Sequence, residues 1–265
     1  MTTKEPIARK SAERASNKVK KVGLARALSK LGFCSRTQAF ALIREGKVRL
    51  NGATPRNPET PVRLGVDRVE IAGMRISAAE KIYVMMNKPR GIVTTAADEK
   101  GRETVYTLLP KDWGWLAPVG RLDKASEGLL LLTNDSEWAA RIMDPATHLE
   151  KSYHVQIAAK VDERLLEALE RGVETPKGEM LKAKQVRMLR TGEKNSWLEM
   201  ILEEGKNRQI RRMLEAHGIE VLRLVRVAIG RLRLGDLSKG AHRALRAGEK
   251  DLLDRSLDTK FKSAQ

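Results

Sequence analysis

Val119-Gly120-Arg121-Leu122-Asp123-Lys124-Ala125-Ser126-Glu127-Gly128 leads without a break into Leu129-Leu130-Leu131-Leu132-Thr133-Asn134-Asp135. A continuous apolar run closed by turn-forming polar residues reads as a strand buried on both faces. Asp123 stands just ahead of it, in a glycine-bounded loop between Arg121 and Lys124, and neighbouring cations favour its ionised form. Such a residue suits a reactive anion carried by rigid scaffold. An Asp in a glycine-bounded loop is more commonly a turn or cap residue, and on these residues alone both readings stand.

The remainder of the chain narrows the choice. Its 265 residues hold 51 Lys plus Arg against 34 Asp plus Glu, a formal charge of +17, so its natural partner is a polyanion. Counterion release would give such a surface sequence-independent affinity for nucleic acid, with RNA, DNA and acidic membrane all open at this point. The apolar run at 128–132 falls far short of the roughly 20 residues of a membrane-spanning helix. No apolar secretory core precedes Lys21, and Cys34, the single cysteine, has no intrachain partner. A cytoplasmic protein is therefore expected. His148, His154, His217 and His242 show no zinc-ligand spacing with Cys34, so no metal is expected.

Residues 1–21 are rich in Lys, Arg, Ser and Ala, which predicts a basic, disordered arm. Beyond it Leu24, Ala27, Leu28 and Leu31 fall at helical spacing, Gly32 ends that helix, and Ser35-Arg36-Thr37-Gln38 has the form of a capping box. Ala39, Phe40, Leu42 and Ile43 supply the apolar face of a second helix, stopped by Gly46. Lys47-Val48-Arg49-Leu50 then alternates before Asn51-Gly52, a hairpin signal, and Val69-Glu70-Ile71 gives another short strand.

This helix–helix–strand order, with Arg44-Glu45-Gly46-Lys47-Val48-Arg49-Leu50-Asn51-Gly52 after the second helix, resembles the S4 RNA-binding domain over residues 22–72. The resemblance implies contacts from Arg36, Arg44, Lys47 and Arg49 to RNA phosphate. A linker is expected at 73–80, where the sequence turns short, polar and glycine-containing.

From residue 81 to 247 strand and helix patterns follow one another without a regular βαβ repeat. Ile82–Met86 and Ile92–Thr95 are β-rich, a short helix precedes Pro110, and a helix with Trp138, Ala139, Ile142 and Met143 stops at Pro145. Tyr153, Val155 and Ile157 share one face of a strand. A helix runs to Gly172, strands cover 183–189 and 196–202, a helix contains Ile210, Met213 and Leu214, and 221–234 interleaves arginines with apolar residues. The pattern predicts an α+β domain with a mainly antiparallel mixed sheet flanked by helices. Residues 248–265, charged and sparse in core side chains, read as a frayed tail.

Three separated segments of this domain stand out together: Gly120-Arg121-Leu122-Asp123 with Ser126 and Gly128, Lys151-x-Tyr153, and Gly205-Lys206-Asn207-Arg208-Gln209-Ile210-Arg211-Arg212. With Asn87-Lys88-Pro89-x-Gly91 and Thr94-Thr95, they resemble the motifs of the pseudouridine synthases, most closely the ribosomal RNA branch that carries an N-terminal S4 domain. The resemblance implies isomerisation of a uridine: the N1–C1′ bond breaks, the uracil turns, and C5 bonds to C1′, without cofactor or metal. It implies Asp123 as nucleophile, Tyr153 as the stacking aromatic, Arg211 as the partner of Asp123, and Ile210 as the apolar wall behind the ring. Arg121 would fill the space left by a flipped base, and Lys206, Arg208 and Arg212 would meet phosphate or solvent. The implied partner is ribosomal RNA or a pre-ribosomal particle, with large-subunit RNA favoured, and the protein acting as a monomer. A non-catalytic S4-type assembly factor would share the charge but leave Asp123, Tyr153 and Arg211 unexplained. A methyltransferase would need a glycine-rich cofactor loop that the sequence lacks.

Overall fold

In the computed structural model, which describes residues 21–95 and 101–262 with side chains through Leu257, the leucine run lies in a strand, Glu127–Thr133, all seven of whose residues are buried. The chain divides between Glu80 and Lys81 into two units.

The first unit comprises β1 (Lys21–Gly23), α1 (Leu24–Lys30), α2 (Arg36–Arg44), β2 (Val48–Leu50), β3 (Pro61–Arg63), β4 (Val69–Ile71) and β5 (Met74–Arg75). Leu24, Leu28, Ala39, Ile43, Val48, Val62 and Val69 close its core. The capping box forms: Gln38 N donates to Ser35 Oγ (3.1 Å) and Ser35 N donates to Gln38 Oε1 (3.0 Å), satisfying two free amides of α2. Asn51 and Gly52 both take the positive φ of a type I′ turn, yet the chain returns only as far as a bridge between Leu50 and Ala53. The strand that completes β2 is β4, reached after a further excursion. Residues 73–79 are bound into this unit instead of acting as a linker. β5 pairs with β4 and Ile76 N donates to Val69 O (2.8 Å), because the open edge of β4 offers backbone groups to the returning chain, and Ala79 N donates to Leu31 O (3.0 Å), a carbonyl left free at the end of α1. Of the anticipated basic arm only Lys21 lies within the described residues, paired with Arg63 across β1 and β3.

The second unit is built on β6 (Tyr83–Lys88), β7 (Ala117–Val119), β8 (Glu127–Thr133), α3 (Ser136–Met143), β9 (Lys151–Ile157), α4 (Glu163–Arg171), β10 (Val173–Glu174), β11 (Met180–Leu181), β12 (Gln185–Thr191), β13 (Ser196–Leu202), α5 (Gln209–Glu215), β14 (Val221–Ile229), β15 (Leu232–Arg233), β16 (His242–Ala244) and α6 (Ala247–Lys262). Its sheet runs β12-β13-β9-β14-β8-β6-β16, with β15 on β14 and β7 on β8. Within this sheet, β8 and β14 are the one parallel pair among the described residues, and every other pairing is antiparallel. Val155, Leu198, Met200, Ile210 and Met213 form one core cluster; Leu129, Leu131, Trp138 and Ile142 belong to another. At the parallel junction Gly128 has φ +103°, and a Cβ there would lie against the carbonyl oxygen of Arg226 and 2.8 Å from its nitrogen.

Two local expectations change. Residues 105–108 form a 3-10 turn, and Ile92–Thr95 contributes a single bridge, Val93 to Thr104, instead of a strand. The charged C-terminal stretch is the helix α6, not a frayed tail. Leu253 and Leu257, four residues apart, are buried against Leu149 and Ile229, and Trp138 Nε1 donates to Asp254 Oδ1 at 2.9 Å. One apolar face therefore docks, and Asp254 beside it is satisfied by Trp138 and Lys250.

Candidate active site

The loop between β7 and β8 carries Asp123 and is fixed through its backbone. Thr94 Oγ1 donates to Leu122 O (2.8 Å), and Ser126 N donates to Asp123 O (2.9 Å). Gly91 N donates to Lys124 O (2.8 Å), and Arg211 Nη2 to Ala125 O (3.1 Å). Lys88 Nζ donates to Pro89 O (3.1 Å), Asp123 O (3.2 Å) and Ser126 O (3.0 Å). All five carbonyls from Leu122 to Ser126 thus have donors. Lys88 is fully buried, and burial lowers its amine to about 8, with Asp123 and Glu127 pulling the other way. A charged residue ending the buried strand Tyr83-Val84-Met85-Met86-Asn87-Lys88 was the sequence signal for this clamp.

While the backbone of Asp123 is tied down, its carboxylate is open. Among the described residues it accepts no hydrogen bond and has no cation within 4 Å. It lines a cleft of about 630 Å³ with Arg121, Ser126, Tyr153, Lys206, Arg208, Ile210 and Arg226. Tyr153 reaches the cleft from β9 and is half-buried; Ile210 comes from the first turn of α5 and is buried. Arg121 and Arg208 are exposed at this cleft, Arg208 with φ +48° at the residue before α5.

Arg211 does not form the direct ion pair expected with Asp123. Its donors go to Ala125 O and to Val221 O (3.2 Å), while Nε is buried without a partner. The two charges still attract: burial and the neighbouring Arg208 and Arg90 lower the Arg211 guanidinium, and Asp123 acts in the opposite sense. The guanidinium thus holds the loop and supplies positive potential without occupying the carboxylate. Lys206 pairs with Glu179 (3.6 Å) and Glu204 (3.3 Å), and Arg212 with Glu179, so these two cations are partly neutralised, whereas Arg208 has no acidic partner among the described residues. In the first unit Arg36, Arg44, Lys47 and Arg49 are all exposed, with Lys47 2.7 Å from Glu45.

An unpartnered carboxylate, a stackable aromatic and a cleft with room for a nucleoside together suit chemistry on a single extruded nucleoside. Comparison with known proteins agrees. The family model for RNA pseudouridylate synthase matches residues 82–216, more than half of the chain. The chain belongs to the RNA pseudouridylate synthase family. It is a pseudouridine synthase carrying an S4 domain, whose family model matches residues 22–67. An RNA pseudouridine synthase of Aquifex aeolicus is 38% identical over 88% of this chain and 94% of its own length. The ribosomal large subunit pseudouridine synthase B of Bacillus subtilis is 36% identical over 84% of this chain and 91% of its own. A crystal structure of a pseudouridylate synthase superposes with a TM-score of 0.63 at 29% identity, covering 88% of this synthase and 99% of that chain. Among the described residues of the synthase, no helix is long and apolar enough to cross a membrane.

Proposed function

We propose that this pseudouridine synthase converts a uridine of large-subunit ribosomal RNA, with Asp123 as its reactive group. The observation that carries the reading is the unpartnered Asp123 carboxylate in a cleft shared with Tyr153 and Ile210. The large-subunit choice rests on the Bacillus subtilis relative.

The target base leaves its stack, and Arg121 takes the vacated space. Tyr153 stacks on the ring, a contact worth on the order of 1–3 kcal/mol, and Ile210 closes the pocket behind it. Asp123 then attacks C1′ or removes the C2′ proton, and the cations whose charges interact with it are Lys88 and Arg211, which also hold its loop. Arg36, Arg44, Lys47 and Arg49, with Arg208, contribute phosphate contacts, and Lys206 and Arg212 would do so on exchanging their carboxylate partners. Free ribosomal RNA or a pre-ribosomal particle in the cytoplasm is the partner, met by a monomer.

The test is tritium release from ribosomal RNA labelled at uridine C5, with RNA binding measured in parallel. Asp123→Ala should bind RNA and release no tritium; release at the wild-type rate removes Asp123 from the chemistry. Wild-type protein that binds but never releases tritium would favour a non-catalytic assembly factor. Mapping pseudouridines in both ribosomal RNAs, with and without the protein, identifies the subunit.

A further inference from the structure

Arg226 is a buried charge at the cleft to which none of the roles above gives a task. It is 6% exposed, lines the same cleft as Asp123 and Ile210, and stands directly opposite Tyr153 in the β14–β9 register. Its Nε donates to Leu129 O at 2.7 Å, which fixes the plane of the guanidinium. Neither terminal nitrogen has an acceptor among the described residues, and Nη2 is enclosed. The backbone of Arg226 abuts Gly128, so the side chain starts from an immobile point. A buried guanidinium with open donors is unfavourable unless a ligand completes it.

We propose that Arg226 is a catalytic residue whose guanidinium donates to a ring carbonyl oxygen of the uracil as the N1–C1′ bond breaks. This rests on the uridine isomerisation proposed above. The bonding pair departs with N1, so the ring becomes an anion whose charge spreads onto O2 and O4. C1′ is satisfied by an ester bond to Asp123, or by loss of the C2′ proton to Asp123 to give a C1′–C2′ double bond. After the ring turns, C5 bonds to C1′ while the ester pair returns to the carboxylate, or the proton returns to C2′. The C5 proton then leaves to water and N1 takes one up from water, so the product is the neutral isomer. A fixed cationic donor holds the anion more strongly than the neutral base, so it lowers the barrier more than it aids binding. Phosphate is the poorer occupant, because the exposed Arg121 and Arg208 are available to it while Arg226 is buried beside Tyr153.

The inference is tested by C5 tritium release with Arg226→Gln and Arg226→Lys, whose folding is checked by thermal unfolding. Arg226→Gln should lower kcat by about 10²–10³, the effect of losing one such donor, with KM and RNA affinity little changed, and Arg226→Lys should recover part of the loss. Should Arg226→Gln not fold, wild-type protein decides the matter on RNA carrying 2-thiouridine or 4-thiouridine at the target, since sulfur is the weaker acceptor. Slowing of at least about tenfold on one of the two is expected, and that substrate names the oxygen. Equal wild-type rates on uridine and both thio-substrates overturn the inference, as does full turnover by folded Arg226→Gln. Absence of tritium release from the wild type on uridine removes the underlying isomerisation reading, and this inference with it.

Discussion

Replacing Gly128 by alanine tests the junction that joins the Asp123 strand to β14. Gly120, at the other end of the same loop, provides the control. Both glycines have positive φ, +103° and +75°, so alanine at either incurs about 1–2 kcal/mol of backbone strain. Space separates them. A Cβ at Gly120 meets nothing within 4 Å, whereas at Gly128 it strikes backbone atoms of Arg226, which cannot rotate away as a side chain would. Overpacking of this kind costs about 1–3 kcal/mol. Parting β8 from β14 also endangers the pairing of Glu127 with Val225 and Gly128 with Arg226, where each lost hydrogen bond costs about 1 kcal/mol. Gly128→Ala should therefore lose about 4–7 kcal/mol and Gly120→Ala about 1–2, against a typical domain stability of about 5–15 kcal/mol. Urea unfolding followed by tryptophan fluorescence measures both. If the two variants differ by less than about 1 kcal/mol, the parallel junction is not the rigid contact described here.

Lys88 predicts a dependence on pH. Its folded value of about 8 lies below the ordinary 10.5, so between those values the unfolded chain holds a proton that the folded chain has released. Stability contributed by this group should rise with pH across that window, by about 3 kcal/mol in total. Urea midpoints at pH 7.5, 9 and 10.5 should show the rise in the wild type and its loss in Lys88→Met; an unchanged slope in the variant would falsify the assignment. Ending the chain at Arg246 should destabilise the second unit by about 3–6 kcal/mol, since Leu253 and Leu257 each lose about 1.5–3 kcal/mol of burial. A truncated protein with the full-length urea midpoint would show that α6 docks without contributing.

Features whose cause is local were legible in the sequence. The Ser35–Gln38 capping box and the leucine strand each depend on residues within a few positions, and both form as read. The partner of β2 was not legible, because the turn at Asn51-Gly52 states only where the chain reverses, while pairing is decided by what β4 presents later. The helix α6 is masked in the sequence because Leu253 and Leu257 are diluted by charged neighbours, and a docked helix needs only one narrow apolar face. At the site, Asp123, Tyr153 and Ile210 could be named as a set, and the fold places them on one cleft. The anchoring of Arg211 could not be foreseen. Its acceptors are carbonyls of Ala125 and Val221, and every residue type carries that same oxygen.

Those anonymous acceptors bear on how the protein can change over generations. The groups that hold the Asp123 loop grip main-chain oxygens, so they are blind to the identity of the side chains between them. Lys124 is exposed, and the contact printed on its position by Gly91 would survive replacement by most amino acids. The rim beside the carboxylate is therefore free to drift toward a different RNA while the reactive group stays where it is.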